Sequence, residues 1–175
     1  MDLAVIPECY IDTNLVETLV PPKTRYNHQH GSPTVAKKMK ENFPASFALG
    51  IIDKDKKEID YLAEFDLVVQ SGSLLLYKHQ KRPHYFIQIS PAMERFILHN
   101  AEVTGIDLAE FGLPTDLDRL RKQSKLIRSK DDIRFKKLFK AILKGGSEEF
   151  IRIAAWIKYM KDDPYNIDLE VLRSM

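Results

Sequence analysis

The run Phe47-Ala48-Leu49-Gly50-Ile51-Ile52, followed directly by Asp53-Lys54-Asp55-Lys56-Lys57, constrains this chain more than any other segment. Six apolar residues without a polar interruption suit a strand buried on both faces, as in a parallel sheet covered by helices. The charged residues that follow must lie where that strand leaves the core. Residues i and i+2 of a strand share a face, so Asp53 and Asp55 point together and Lys54 turns away. Open parallel sheets place their ligands at the carboxyl ends of the strands. Two carboxylates converging there suit a hard cation, and Mg²⁺ or Mn²⁺ takes such oxygen ligands. Without that convergence the same five residues are a charged, solvated turn.

The flanking segments read as an α/β layer. Leu3 to Asp12 is apolar, and a strand is predicted from about Glu8 to Asp12, with Pro7 at its start. If that strand pairs in parallel with the apolar run, Asp12, Asp53 and Asp55 meet at one edge. Three carboxylates there repel one another unless a cation or a proton neutralises them. Asn14 to Val20 reads as a short helix stopped by Pro21-Pro22, and residues 21–33 as a loop. Ser32-Pro33 looks like an N-cap and a first helical position, opening a helix that Pro44 ends. The start of that helix, Gly31 and Ser32, is a candidate anion site beside strand 1. A short helix over Glu58–Phe65 and a strand over Asp66–Val69 follow. Then come the turn Ser71-Gly72-Ser73 and strands at Leu74–Tyr77 and His84–Ile89.

After Pro91 apolar residues recur at helical spacing: Met93, Phe96, Ile97 and Ala101, later Phe135, Leu138, Phe139 and Ile142, then Phe150, Ile153, Ile157 and Met160. The expectation is an α/β layer over residues 1–90 and an all-helical region over 91–175, packed together as one unit. Composition agrees with a globular chain: of 175 residues, 44% are hydrophobic and 30% charged, which excludes a disordered or collagen-like polymer. The single cysteine, Cys9, excludes an internal disulfide and a cysteine zinc cluster. No apolar run approaches the roughly 18 residues of a membrane span, and the N-terminal segment lacks the basic flank of a signal peptide. The expected location is cytoplasmic, with no membrane partner.

The net charge of +2 conceals a strongly basic stretch. Residues 119–144 hold eleven Lys/Arg and two Asp/Glu. Arg119, Arg121, Lys122, Lys125, Arg128, Lys136, Lys137 and Lys140 are therefore candidates for holding the phosphates of DNA or RNA. The same pattern is that of solvated faces on amphipathic helices. His28-Gln29-His30 and Lys78–His84 read as solvated loops, Trp156 and Tyr159 as packing residues, and Cys9 as a buried small side chain. No phosphate-binding loop of the Gly-x-x-x-x-Gly-Lys-Ser/Thr type is present.

A first strand ending in an acid, a helix, and then Ile51-Ile52-Asp53-Lys54-Asp55 together resemble the Toprim fold. That fold is the catalytic core of topoisomerases, bacterial primases and nucleases of the overcoming-lysogenization-defect type. In those families a Glu-Gly closes the first strand and an Asp-x-Asp closes a later one, and these acids bind Mg²⁺. Here Ile11-Asp12-Thr13 is aligned with the Glu-Gly. The resemblance covers roughly residues 5–98. It implies a mainly parallel sheet flanked by helices, with Asp12, Asp53 and Asp55 on Mg²⁺ (or Mn²⁺). Ser90-Pro91-Ala92-Met93-Glu94 looks like a later acidic element of small Toprim-like families, so Asp12 and Glu94 are the implied catalytic residues. The implied function is a Mg²⁺-dependent nuclease or related phosphotransfer enzyme. The alternative is a non-catalytic Toprim-like module that binds a nucleotide or a protein partner. Tyr10-Ile11-Asp12-Thr13-Asn14 more weakly resembles the opening of PIN-domain ribonucleases, which implies Glu41 near Asp12 in place of Glu94.

Overall fold

In the computed structural model, which describes residues 1–54 and 58–175, the apolar run becomes β2 (Ala48–Asp53). It lies between β1 (Val5–Pro7) and β5 (His84–Ile89) and runs parallel to both. β4 (Leu74–His79) is antiparallel to β5, and β3 (Phe65–Ser71) is antiparallel to β4. The order is β1-β2-β5-β4-β3. The sheet is thus mixed, where a mainly parallel one is predicted. Connection length explains this. Only Gly72 and Ser73 join β3 to β4, and only residues 80–83 join β4 to β5. A parallel pair needs a crossover of a dozen or more residues. Gly72 turns the first of these corners at φ +57°.

The first strand is shorter than predicted. β1 stops at Pro7, and α1 (Tyr10–Leu19) occupies the segment where a strand over Glu8–Asp12 is predicted. A capping box sets this start. The Cys9 side chain accepts from the Asp12 N–H, and Asp12 Oδ2 accepts from the Cys9 N–H at 3.1 Å. Ile11, Leu15 and Val16 then form one buried stripe at helical spacing. Asp12 consequently sits in the first turn of a helix and does not close a strand. The helix predicted over Asn14–Val20 is the second half of this longer one. In α2 (Ser32–Asn42) the cap is Gly31, at φ +84°, and Ser32 is already helical.

Alternation along the parallel strands sorts the helices into two layers. Val5, Leu49, Ile51, Ile87 and Ile89 face one core, built with α1, α3 (Met93–Val103), α5 (Ile133–Lys144) and α6 (Glu148–Asp162). Ile6, Ala48, Ile52 and Phe86 face a smaller core. Val35, Ala36 and Met39 of α2 complete it, with Tyr61 and Leu62 of the 3₁₀ turn Asp60–Glu64. Gly50 is needed for this second core: a Cβ there would stand 2.3 Å from Phe86 Cε1 and 3.0 Å from Val35 Cγ1.

The described elements after β5 are helices: α3, α4 (Leu117–Ser124), α5, α6 and α7 (Leu169–Ser174), with 3₁₀ turns at Leu108–Phe111 and Ile127–Lys130. Asp116, Asp132, Ser147 and Asp168 cap α4, α5, α6 and α7. Asn14 links the two halves of the chain. Its amide donates to the Ser129 carbonyl at 2.7 Å and to the Asp132 carbonyl at 3.2 Å. Trp156 is fully buried in the larger core, and its Nε1–H donates to the Leu172 carbonyl at 2.9 Å.

Candidate functional site

Because β1, β2 and β5 run parallel, their carboxyl ends share one edge, with Pro7 opposite Ile51 and Asp53 opposite Ile89. Each strand delivers an acid there. Glu8 follows β1, Asp53 ends β2, and Glu94 lies in the first turn of α3, just past β5. These three residues line a cavity of about 400 Å³, together with Cys9, Tyr10, His30, Gly31, Arg121, Ser124 and Lys125. Asp12 is only 1% exposed and stands behind that wall.

Hydrogen bonds hold the acids in place. The Asp53 N–H donates to Glu8 Oε2 at 2.9 Å, and the Glu8 N–H donates to the Ile51 carbonyl at 2.9 Å. The Ser124 hydroxyl donates to Glu94 Oε1 at 2.5 Å. One oxygen each of Asp12 and Asp53, the Oδ1 atoms, is buried without a hydrogen-bond partner among the described residues. A buried polar atom left in this way is costly and calls for an explanation.

The electrostatics reflect the crowding. Burial, then the charges of Glu8 and Glu94, push the Asp12 carboxyl well above the usual carboxylate range, against the hydrogen bonds from Cys9. Burial and the charges of Asp12, Glu8 and Glu94 push Asp53 up as well, against a backbone hydrogen bond from Met93. Burial and Asp12 also push the Cys9 thiol up, so it is no thiolate nucleophile at neutral pH.

The sequence locates part of this site. Asp53 and Glu94 line this cavity, and Asp12, on α1, is buried beside them and not in the cavity wall. Asp55 lies outside the described residues. Glu8 is not among the predicted site residues, because the predicted strand begins at Pro7, where β1 in fact ends. Its signal is its place at the end of the apolar run Ala4-Val5-Ile6-Pro7. Of the basic residues, Arg121 and Lys125 line the cavity. Arg119, Lys122, Arg128, Lys137 and Lys140 are exposed and form no part of its wall, and Lys136 pairs with Asp131 at 4.0 Å. Gly31 reaches the cavity, but its N–H donates to the Glu8 carbonyl at 3.3 Å. Ser32 is buried and lies along a different cleft, with Lys40 and Tyr61. The two residues of the predicted anion site therefore do not converge. Glu41 is exposed and pairs with Lys37 at 3.9 Å.

At the lip of the cavity, Tyr10 stacks on His28 with ring centroids 4.5 Å apart, and His30 meets Tyr10 edge-on at 5.1 Å. The Thr13 hydroxyl lies 2.9 Å from His28 Nδ1.

The donors are hard oxygens, as a divalent cation of the Mg²⁺ class requires, and two of those oxygens lack partners among the described residues. Among the described residues, however, no three His, Cys, Asp or Glu side chains are drawn together closely enough to hold a metal ion. The donor chemistry fits such a cation, but the described groups alone do not form its shell.

The fold and site together define an α/β protein with an acidic pocket at the carboxyl edge of its parallel strands. No family model, no curated protein and no solved structure matches the chain. No helix among the described residues is long and apolar enough to cross a membrane.

Proposed function

We propose that this pocket is the active site of a Toprim-like, divalent-cation-dependent phosphotransfer enzyme, a nuclease acting on DNA or RNA in the cytoplasm. The observation that carries this reading is the pair of buried carboxylate oxygens without hydrogen-bond partners among the described residues, set among four mutually repelling acids. Folding does not favour that arrangement, whereas a site that recruits a cation requires it. The residue pattern supports the same reading once the strand ends are known. Glu8 directly follows β1, the position at which the Toprim families carry their Glu, so in this reading it and not Asp12 is the counterpart of that Glu. The charges around Asp12 are those of Glu8 and Glu94, with Glu41 paired elsewhere, which favours Toprim over PIN.

Glu8 and Asp53 would hold Mg²⁺ or Mn²⁺, with Asp12 behind them and Asp55 as a further candidate ligand. Such a cation polarises a phosphoryl oxygen and lowers the pKa of its water. The chain supplies the rest. Ser124 fixes Glu94, which would take a proton from an attacking water. The Cys9 N–H fixes Asp12. Arg121 and Lys125 line the same cavity and would meet substrate phosphates.

The second reading, a binding module without chemistry for a nucleotide or protein partner, draws on the absence of a metal-ready trio among the described residues. Thermal unfolding with Mg²⁺ and Mn²⁺, for wild type and Asp53→Asn, separates the two readings. A cation that binds only the folded state stabilises it by about 2.7 kcal/mol at a hundredfold excess over Kd. The enzyme reading expects a shift in wild type that Asp53→Asn loses, together with cation-dependent cleavage of a labelled oligonucleotide. No shift up to tens of millimolar cation leaves the module reading in its place.

A further inference from the structure

We propose that the acidic pocket takes the terminal phosphate of a single nucleic-acid strand, held by Arg121 and Lys125, and not the continuous backbone of a duplex. This inference rests on the phosphotransfer reading and narrows its substrate.

Depth is the first argument. The acids lie in a recess: Asp12 and Glu94 are buried, and the cavity of about 400 Å³ is at the small end of small-molecule sites. A duplex presents its phosphates on a continuous convex surface. It reaches groups at the bottom of a recess only by unpairing and splaying a nucleotide. A strand end enters without that distortion.

The two cations are the second argument. Arg121 and Lys125 are four residues apart, so they share a face at the end of α4, and both line the cavity. No ion pair joins either of them to Asp53 or Glu94 in the same cavity wall. The ion pair of Arg121 is with Asp118, at 3.6 Å, and Asp118 is itself largely exposed. Exposed pairs of this kind hold little energy, so Arg121 can turn to a stronger anion. A guanidinium and an ammonium beside acids they do not neutralise suit a phosphate that arrives between them. A terminal phosphate carries more charge and more free oxygens than a diester, so it gains more from both.

The lip is the third argument. Half-buried Tyr10 and exposed His30 offer rings at the mouth of the cavity, where the base next to a bound end would lie. Stacking on aromatic rings tolerates any base. A duplex track is not assembled there, because Lys137 and Lys140, exposed on α5, form no part of this wall.

Fluorescence anisotropy tests the proposal with a short single-stranded oligothymidylate bearing a 5′-phosphate, a 3′-phosphate or neither. A duplex closed by hairpin loops at both ends is the comparison, and Ca²⁺ is the cation. A phosphorylated end should bind about tenfold or more tighter than the unphosphorylated strand, as charge-assisted bonds from two cations imply, and tighter than the closed duplex. Arg121→Gln/Lys125→Gln should abolish that preference, and Lys137→Gln/Lys140→Gln should keep it. Equal binding of phosphorylated and plain strands overturns the proposal. So does a preference that survives Arg121→Gln/Lys125→Gln, or a closed duplex that binds as tightly as the phosphorylated strand. The Mg²⁺ thermal shift on the same preparations separates this from the wider reading. A shift without end preference overturns end recognition alone. End preference without a shift supports end recognition and overturns the chemistry. Absence of both overturns both.

Discussion

Asp53 is held where its own charge is unwelcome, and that cost sets how the protein responds to pH. Its folded-state pKa is raised, first by burial and then by Asp12, Glu8 and Glu94. The native state therefore binds more protons than the unfolded chain between the unfolded pKa, near 3.8, and the higher folded value. Stability contributed by this group falls as pH rises through that window. Asp2 works in the opposite sense. Burial raises its carboxyl, but hydrogen bonds from Lys161 and Thr24 and the Lys161 charge outweigh that and hold it at about 2. Its stabilisation is present above 3.8 and is lost as pH falls toward 2. Buried His84, neutral between the Tyr61 hydroxyl and the Phe43 carbonyl, has a lowered pKa and also favours higher pH. Asp53→Asn removes one of the two raised carboxyls of the pocket, Asp12 being the other. Without divalent cations, this variant should be more stable than wild type at pH 8 by roughly 1–3 kcal/mol, the scale of the desolvation penalty on a buried polar group, because the disfavoured charge is gone. The gain should shrink toward pH 4. Urea unfolding at the two pH values measures it, and a variant less stable than wild type at pH 8 contradicts the electrostatic account. Asp53 was legible in the sequence because an apolar run ended on it. Glu8 was not, because a proline lacks an N–H whether it starts a strand or ends one. The cap at Cys9 was equally hidden, since cysteine is not among the usual N-cap residues.

At the level of elements, the site depends on three strands ending together, and β2 sits at their centre. Its continuous apolar sequence announced a strand buried on both sides but gave no sign of which residue faced which core. The structure assigns Leu49 and Ile51 to the larger core, and Ala48 and Ile52 to the smaller. Gly50 belongs with the second set, and the Phe86 ring fills the space where its side chain would be. Gly50→Val therefore forces either Phe86 or α2 away from the sheet. Overpacking of this kind costs roughly 1–3 kcal/mol, and thermal unfolding should show a clear drop in Tm. Because β2 carries Asp53 at its end, the same variant should weaken any cation-induced thermal shift. A Gly50→Val protein with unchanged Tm would show that the smaller core yields easily. The antiparallel half of the sheet was only partly legible: the turn at Ser71-Gly72-Ser73 and the strand boundaries of β5 were visible. The direction of β5 relative to β2 was not, since it depends on pairing between residues far apart in the chain.

At the scale of the whole molecule, the sequence divides near residue 90 while the larger core does not. Val5, Leu15, Leu49 and Ile87 share that core with Phe135, Phe139, Phe150 and Trp156. Asn14 gives its amide to carbonyls at Ser129 and Asp132, and Asp2 forms an ion pair with Lys161 at 2.8 Å. The site is built across the same division: Glu8 and Asp53 come from the first part, and Glu94, Arg121, Ser124 and Lys125 from the second. Helical periodicity could reveal the later helices, but not that their apolar stripes would cover the sheet face formed by the first strands. A fragment ending at residue 90 would keep the strands and lose the helices α3, α5 and α6 that cover one face of them. The exposed apolar face would then far exceed the patches that monomeric proteins tolerate. Residues 1–90 expressed alone should thus show no cooperative unfolding transition and should self-associate. Co-expression with residues 91–175 should restore both solubility and a single transition. Circular dichroism and analytical ultracentrifugation read the two outcomes. A monomeric, cooperatively folding 1–90 fragment would make the helices an annex, and the pocket would then be a junction between two separable bodies.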